Sequence, residues 1–101
     1  MTLKYKELTI GELTFADGVW TFIYSDDFKA QSEIRPLFDF PNVDKVYVSG
    51  KLPVFFKIRI PSLKRKSIQE IIKKRKINAK DELELLKVFG YKSICNPFLL
   101  I

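Results

Sequence analysis

The chain has 101 residues, enough for one domain with its own core, and 47% of them are apolar and 30% charged, a composition that excludes a disordered chain. It contains no His and a single Cys, Cys95, which excludes an internal disulfide scaffold and removes the commonest metal ligand and general base. The net charge of +6 is unevenly placed: residues 1–56 carry six Lys/Arg against eight Asp/Glu, and residues 57–101 carry twelve against four, a charge asymmetry that suits nucleic acid or an acidic protein face.

The first half reads as strands. Leu3 and Tyr5 alternate with Lys4 and Lys6, and the opening residues lack the apolar stretch of a signal peptide. Glu12-Leu13-Thr14-Phe15 runs through Asp17-Gly18 into Trp20-Thr21-Phe22-Ile23-Tyr24. The Asp-Gly pair suits a type I′ turn, whose two central residues need positive φ. The two-residue period puts Trp20, Phe22 and Tyr24 on one face of this hairpin. An aromatic stripe at strand spacing reads as core; the competing reading is a base-stacking platform. Ser25-Asp26-Asp27-Phe28 suggests a helical turn. Leu37-Phe38-Asp39-Phe40, bracketed by Pro36 and Pro41, alternates like an edge strand. Val46-Tyr47-Val48 is strand-like, and Ser49-Gly50 is a turn. In Leu52-Pro53-Val54-Phe55-Phe56 an extended backbone would send the two phenylalanines to opposite faces, one to the core and the other to a partner or a second layer.

The second half changes period from two to about 3.6. Ser67-Ile68-Gln69-Glu70 has the form of a capping box, and Ile68, Ile71 and Ile72 make a stripe, so a helix is expected near 62–76. A second is expected near 79–89, with Asp81 and Glu82 in its first turn, Leu83, Leu86 and Phe89 on one face with Leu85 beside it, and Gly90 as its stop. The apolar tail Phe98–Ile101 either closes the sheet as a last strand or meets a partner. Strands first and helices second give an α+β fold: an antiparallel β-sheet of N-terminal hairpins followed by two C-terminal helices, in a single domain.

The chemistry of catalysis is missing. The sequence has no P-loop, no Gly-rich dinucleotide turn and no Gly-x-Ser-x-Gly elbow, so it does not read as an enzyme. Neither a cofactor nor a metal is expected. Cys95 reads as a small buried hydrophobe. The loudest charge feature is Lys64-Arg65-Lys66 with Lys73-Lys74-Arg75-Lys76. Three readings compete for it: a solvated helix face, a contact with an acidic protein, and a phosphate-binding surface of a small basic nucleic-acid-binding domain. No run of residues is long and apolar enough to span a membrane, and a cytoplasmic location is expected.

From Pro53 to Gly90 the chain resembles the N-terminal subdomain of HipA-type serine/threonine kinases, the toxins of bacterial toxin–antitoxin systems. The resemblance is carried by Pro53-Val54-Phe55-Phe56, Pro61, the Ile68–Ile72 helix, Leu85-Leu86 and Gly90. Gly11-Glu12-Leu13, Gly18–Tyr24 and Arg35-Pro36-Leu37 are similar to the family's opening strands, so that residues 1–101 form one domain of this kind. Two places depart from the family: its Pro-Glu-Gly is Pro61-Ser62-Leu63 here, and the Gly-Ala after its last helix is Cys95-Asn96. A chain ending at Ile101 is expected to stand free of a kinase core. Such a chain resembles HipS, the antitoxin of three-gene systems. The resemblance then implies a HipT-like serine/threonine kinase as partner, restrained or, on a competing reading, stabilised by contact. It also implies a HipB-like helix-turn-helix protein in a larger complex, with DNA reached only indirectly. The residues expected to touch the kinase are Phe55, Phe56, Pro61, Ser62, Leu63, Lys64 and Arg65, in the segment that joins sheet to helix.

Overall fold

The computed structural model describes all 101 residues. Five strands form one antiparallel sheet: β1 (Thr2–Tyr5), β2 (Leu8–Ala16), β3 (Val19–Tyr24), β4 (Tyr47–Ser49) and β5 (Leu99–Leu100), in the order β4-β3-β2-β1-β5. Four helices interrupt them: the single turns α1 (Asp26–Lys29) and α2 (Val54–Lys57), then α3 (Lys66–Arg75) and α4 (Glu82–Phe89). The α+β expectation holds: the helical turn read at Ser25–Phe28 is α1, the two longer helices are α3 and α4, and α2 is the one helix the sequence did not suggest. The apolar tail is the closing strand, with Leu100 opposite Leu3 and Leu99 opposite Lys4.

The β2–β3 hairpin forms as its sequence dictates. Asp17 and Gly18 have φ of 52° and 75°, the left-handed pair a type I′ turn requires. Trp20, Phe22 and Tyr24 are buried, while Thr21 and Ile23 face outward. A bulge in the β1–β2 pairing has a larger effect. Leu3 opposes Gly11 but Lys4 opposes Thr9, so Ile10 is an extra residue. That shift of parity lets Ile10 and Leu13, an odd number of positions apart, both point into the core. Gly11 is required next to the bulge, because a Cβ there would lie 2.5 Å from the Ile23 carbonyl oxygen and 2.7 Å from the Phe22 ring.

One face of the sheet carries the core. Phe22 is its centre, with ring centroids 4.6 Å from Phe40, 5.1 Å from Tyr24 and 5.6 Å from Phe56. Phe28 of α1, Leu37, Leu52 and Leu86 of α4 complete it. Each fully buried side chain of this size stabilises the fold by about 1.5–3 kcal/mol. Ser25 caps α1, its hydroxyl accepting from the Phe28 N–H at 3.0 Å and donating to the Thr9 carbonyl.

Leu37–Phe40 is a turn, contrary to the edge strand expected from its alternation. The Phe40 N–H donates to the Leu37 carbonyl at 2.9 Å. Leu37 and Phe40, three apart, are buried, and Phe38 stands 98% exposed. The Tyr24 hydroxyl fixes this turn from a distance. It accepts from the Leu37 N–H at 2.8 Å and donates to the Phe40 carbonyl at 2.6 Å. Burial pushes the Tyr24 phenol up to about 12, with the Leu37 N–H opposing the shift and Tyr47 adding to it.

Helix starts also differ from expectation. Ser67 lies inside α3, whose N-cap is Arg65 with no side-chain hydrogen bond, so the capping box does not form. Asp81 is the N-cap of α4 rather than a first-turn residue, and its carboxylate accepts from the Glu84 N–H at 3.2 Å. Cys95 is exposed, not a core residue.

Candidate partner-binding surface

The expected contact segment runs from the sheet's β4 edge to the start of α3. Pro53 opens α2 with φ −57° and ψ 143°, and its carbonyl accepts from the N–H groups of Phe56 and Lys57, each at 3.0 Å. Proline supplies the fixed φ of a helix entry without wasting a donor. The chain here is therefore one helical turn, not the extended segment expected. Neighbouring side chains diverge by about 100° instead of pointing to opposite faces. Phe56 goes fully into the core, and Phe55 is half-buried, 5.1 Å from Phe56 and 6.2 Å from Phe98 between ring centroids. Phe56 takes the core place expected of one of the pair, and Phe55 packs as a second layer between it and Phe98. The outward apolar residues at this turn are Val54, 68% exposed, and Ile58, 49% exposed, with Lys57 exposed beside them.

Pro61, Ser62, Leu63, Lys64 and Arg65 do lie together on the surface. The Arg65 N–H donates to the Ser62 carbonyl at 3.2 Å, which curls the segment into a turn before α3. Pro61 and Leu63 are half-buried against α4. With Ile60, Ala79 and Leu85 they line a shallow cleft of about 270 Å³, with Lys57 and Glu82 at its rim. Ser62, Lys64 and Arg65 project outward. The Ser62 hydroxyl has the Lys64 N–H at 3.4 Å and no base beside it. An apolar cleft edged by one cation and one acid, with Lys64 and Arg65 projecting nearby, is suited to contact.

On the other side of α2, a depression of about 250 Å³ is lined by Phe40, Tyr47, Val48, Pro53 and Val54. It adjoins the outer edge of β4, which pairs with no strand. Val48 is 65% exposed there. The strap over 53–65 thus separates two apolar hollows, and Val54 belongs to the one that sequence reasoning left out.

Arg59 holds the strap down, and sequence reasoning missed it. It is 4% exposed and has no carboxylate partner. Its guanidinium donates to the carbonyls of Gly90 at 3.0 Å and Phe98 at 2.9 Å, and to Asn96 Oδ1 at 2.9 Å. It also packs 5.8 Å from the Phe55 ring centroid. The Gly90 carbonyl ends α4, where the helix dipole favours a cation. Nε has no hydrogen-bond partner. Burial lowers the guanidinium's pKa from its ordinary value. One signal was available: a cation set between Ile58 and Ile60. A cation amid apolar neighbours is buried only with acceptors to meet it.

No three His, Cys, Asp or Glu side chains are grouped closely enough to hold a metal ion, and no helix is long and apolar enough to cross a membrane. A family model described as the HipA N-terminal domain matches residues 1–94, which takes in β1–β4 and all four helices. No curated protein and no solved structure gives a significant match.

Proposed function

The chain belongs to the HipA N-terminal domain family, and from that premise we propose that it is the HipS-type component of a HipA-family toxin–antitoxin system. It binds a HipT-like kinase where the corresponding domain of a fused kinase packs, and restrains that kinase by contact alone. The observation that carries the reading is the family match over residues 1–94. That family is an N-terminal domain and not the kinase domain, so any effect on phosphorylation acts through a partner.

The strap over 53–65 is the contact. Leu63 and Pro61 present the apolar cleft, Val54 and Ile58 add apolar surface at α2, and Ser62, Lys64 and Arg65 flank it. Lys64 and Arg65 steer association with an acidic kinase surface, which raises the on-rate more than it deepens affinity. Phe55 and Phe56 support the strap from beneath.

Co-expression with a HipT-like kinase tests this, with growth and co-purification scored together. Rescue of growth with co-elution is the expected outcome. Co-elution without rescue makes the chain a stabilising subunit, and the absence of both overturns the antitoxin reading. The paired variant Val54→Asp with Leu63→Asp should release the kinase while the isolated chain keeps its thermal transition.

A further inference from the structure

The most isolated charge in the molecule lies on α3. Residues 64–76 contain seven Lys/Arg and one acid, Glu70, so this segment alone carries +6, the net charge of the whole chain. Everything outside it sums to zero. All seven cations are exposed. None is neutralised: the only ion pair joins the N-terminal ammonium to Glu12. A merely solvated face mixes signs, as the rest of this surface does, because like charges on one helix turn repel.

The helix that bears them is lightly held. α3 has no fully buried residue; Ile68 and Ile72 are half-buried and Ile71 is exposed. It stops at Lys76, which adopts φ 55° and ψ 44° without being glycine, and the Ile77 N–H donates back to the Ile72 carbonyl at 2.9 Å. Buried Ile77 anchors the arm after that turn. The run Lys73–Lys76 is thereby concentrated at one end of the helix and Lys66 at the other.

We propose that this arm, Lys66 to Lys76, binds the phosphate backbone of B-form duplex DNA directly and without reading sequence. The outward side chains are Lys, Arg, Gln, Glu and Ser67, with Ile71 the one apolar residue at their margin and no aromatic among them. Protein interfaces are depleted in lysine and centred on apolar or aromatic anchors, whereas phosphate contacts need cations only. The lack of an aromatic also removes the platform that single strands require. At 1.5 Å per residue, Lys66 and the Lys73–Lys76 cluster lie about 10–15 Å apart along the axis. That span matches the roughly 12 Å width of the B-form major groove, so the two ends reach phosphates on both rims. The inference rests on the arm and not on the kinase contact, from which Lys73–Lys76 are distinct.

The test is fluorescence anisotropy of a duplex of about 25 base pairs with the full chain, at salt from about 50 to 200 mM. Binding should weaken with a log–log salt slope of about −3 to −4, set by the phosphates neutralised. The variant K73Q/K74Q/R75Q/K76Q should bind at least about tenfold more weakly at the low-salt end and flatten the slope. The charge-matched variant K29Q/K45Q/K51Q/K92Q should bind as the parent does. Circular dichroism of both checks that the fold survives. No binding at about 50 mM salt overturns the proposal. Equal loss in both variants overturns it too, since net charge alone would then suffice. Equal binding of single-stranded DNA or of duplex RNA removes the groove geometry and overturns it. If the first variant instead loses a co-purifying kinase that the parent retains, with DNA binding unchanged, the arm meets an acidic protein face and the proposal fails while the kinase reading stands.

Discussion

The hairpin β2–β3 and the helix α3 are opposite solutions to placing a segment on a small domain. The hairpin buries three aromatics on one face and is paired along both edges, by β1 and β4. The helix buries no residue fully and lacks a side-chain N-cap. Propensity and one half-buried stripe hold it, and isolated helices of this length are marginal in water. The stability of the molecule therefore resides in the sheet and what packs on Phe22, and the arm is free to be selected for charge.

The comparison is sharpest at Phe56 against Ile71. Phe56→Ala opens a cavity beside Phe22 and should cost about 3–5 kcal/mol. Ile71→Ala, on a partly exposed helix face, should cost less than about 1 kcal/mol. Urea denaturation followed by tryptophan fluorescence measures both, and equal costs would erase the distinction between core and arm. Arg59→Met should come next, at about 2–4 kcal/mol, because it strands the Gly90 and Phe98 carbonyls and Asn96 in a buried site. The same denaturation series reads it.

Tyr24 adds a pH signature that belongs to the sheet alone. Its phenol titrates near 10 when unfolded and is raised to about 12 in the fold. The folded chain holds the proton more tightly, so this contribution is intact below pH 10 and is lost as pH rises through 12. Stability should fall by about 2 kcal/mol across that window, and Tyr24→Phe should remove this part of the alkaline decline. Thermal melts between those pH values check it. The smallest effect should be a gain: Lys76→Gly relieves a left-handed backbone and should raise stability by about 0.5–1 kcal/mol. A loss there would mean that the Lys76 side chain, not its backbone, holds the end of the arm.

The same contrast explains what could be read from the sequence. The hairpin was legible because its cues are local: Asp17-Gly18 fixes the turn and Trp20, Phe22 and Tyr24 fix the face. The α4 stripe was legible for the same reason. Leu37–Phe40 was not, because its turn is tied by the Tyr24 hydroxyl, which lies 13 and 16 residues earlier. Phe55-Phe56 was misread because a four-residue apolar run has no period to tell a strand from one helical turn. Of the contact residues expected there, Pro61–Arg65 are at the surface and Phe56 is core. Arg59 showed only its apolar neighbours Ile58 and Ile60, because the acceptors that explain its burial come 31 to 39 residues later in the chain.

That separation makes two distant stretches seat as one unit. Arg59 meets its acceptors only when Gly90, Asn96 and Phe98 are in place, and a buried cation without acceptors is costly. The seating of α2 is therefore conditional on the seating of residues 90–98, and the buried arginine is a latch between the middle of the chain and its C-terminal segment.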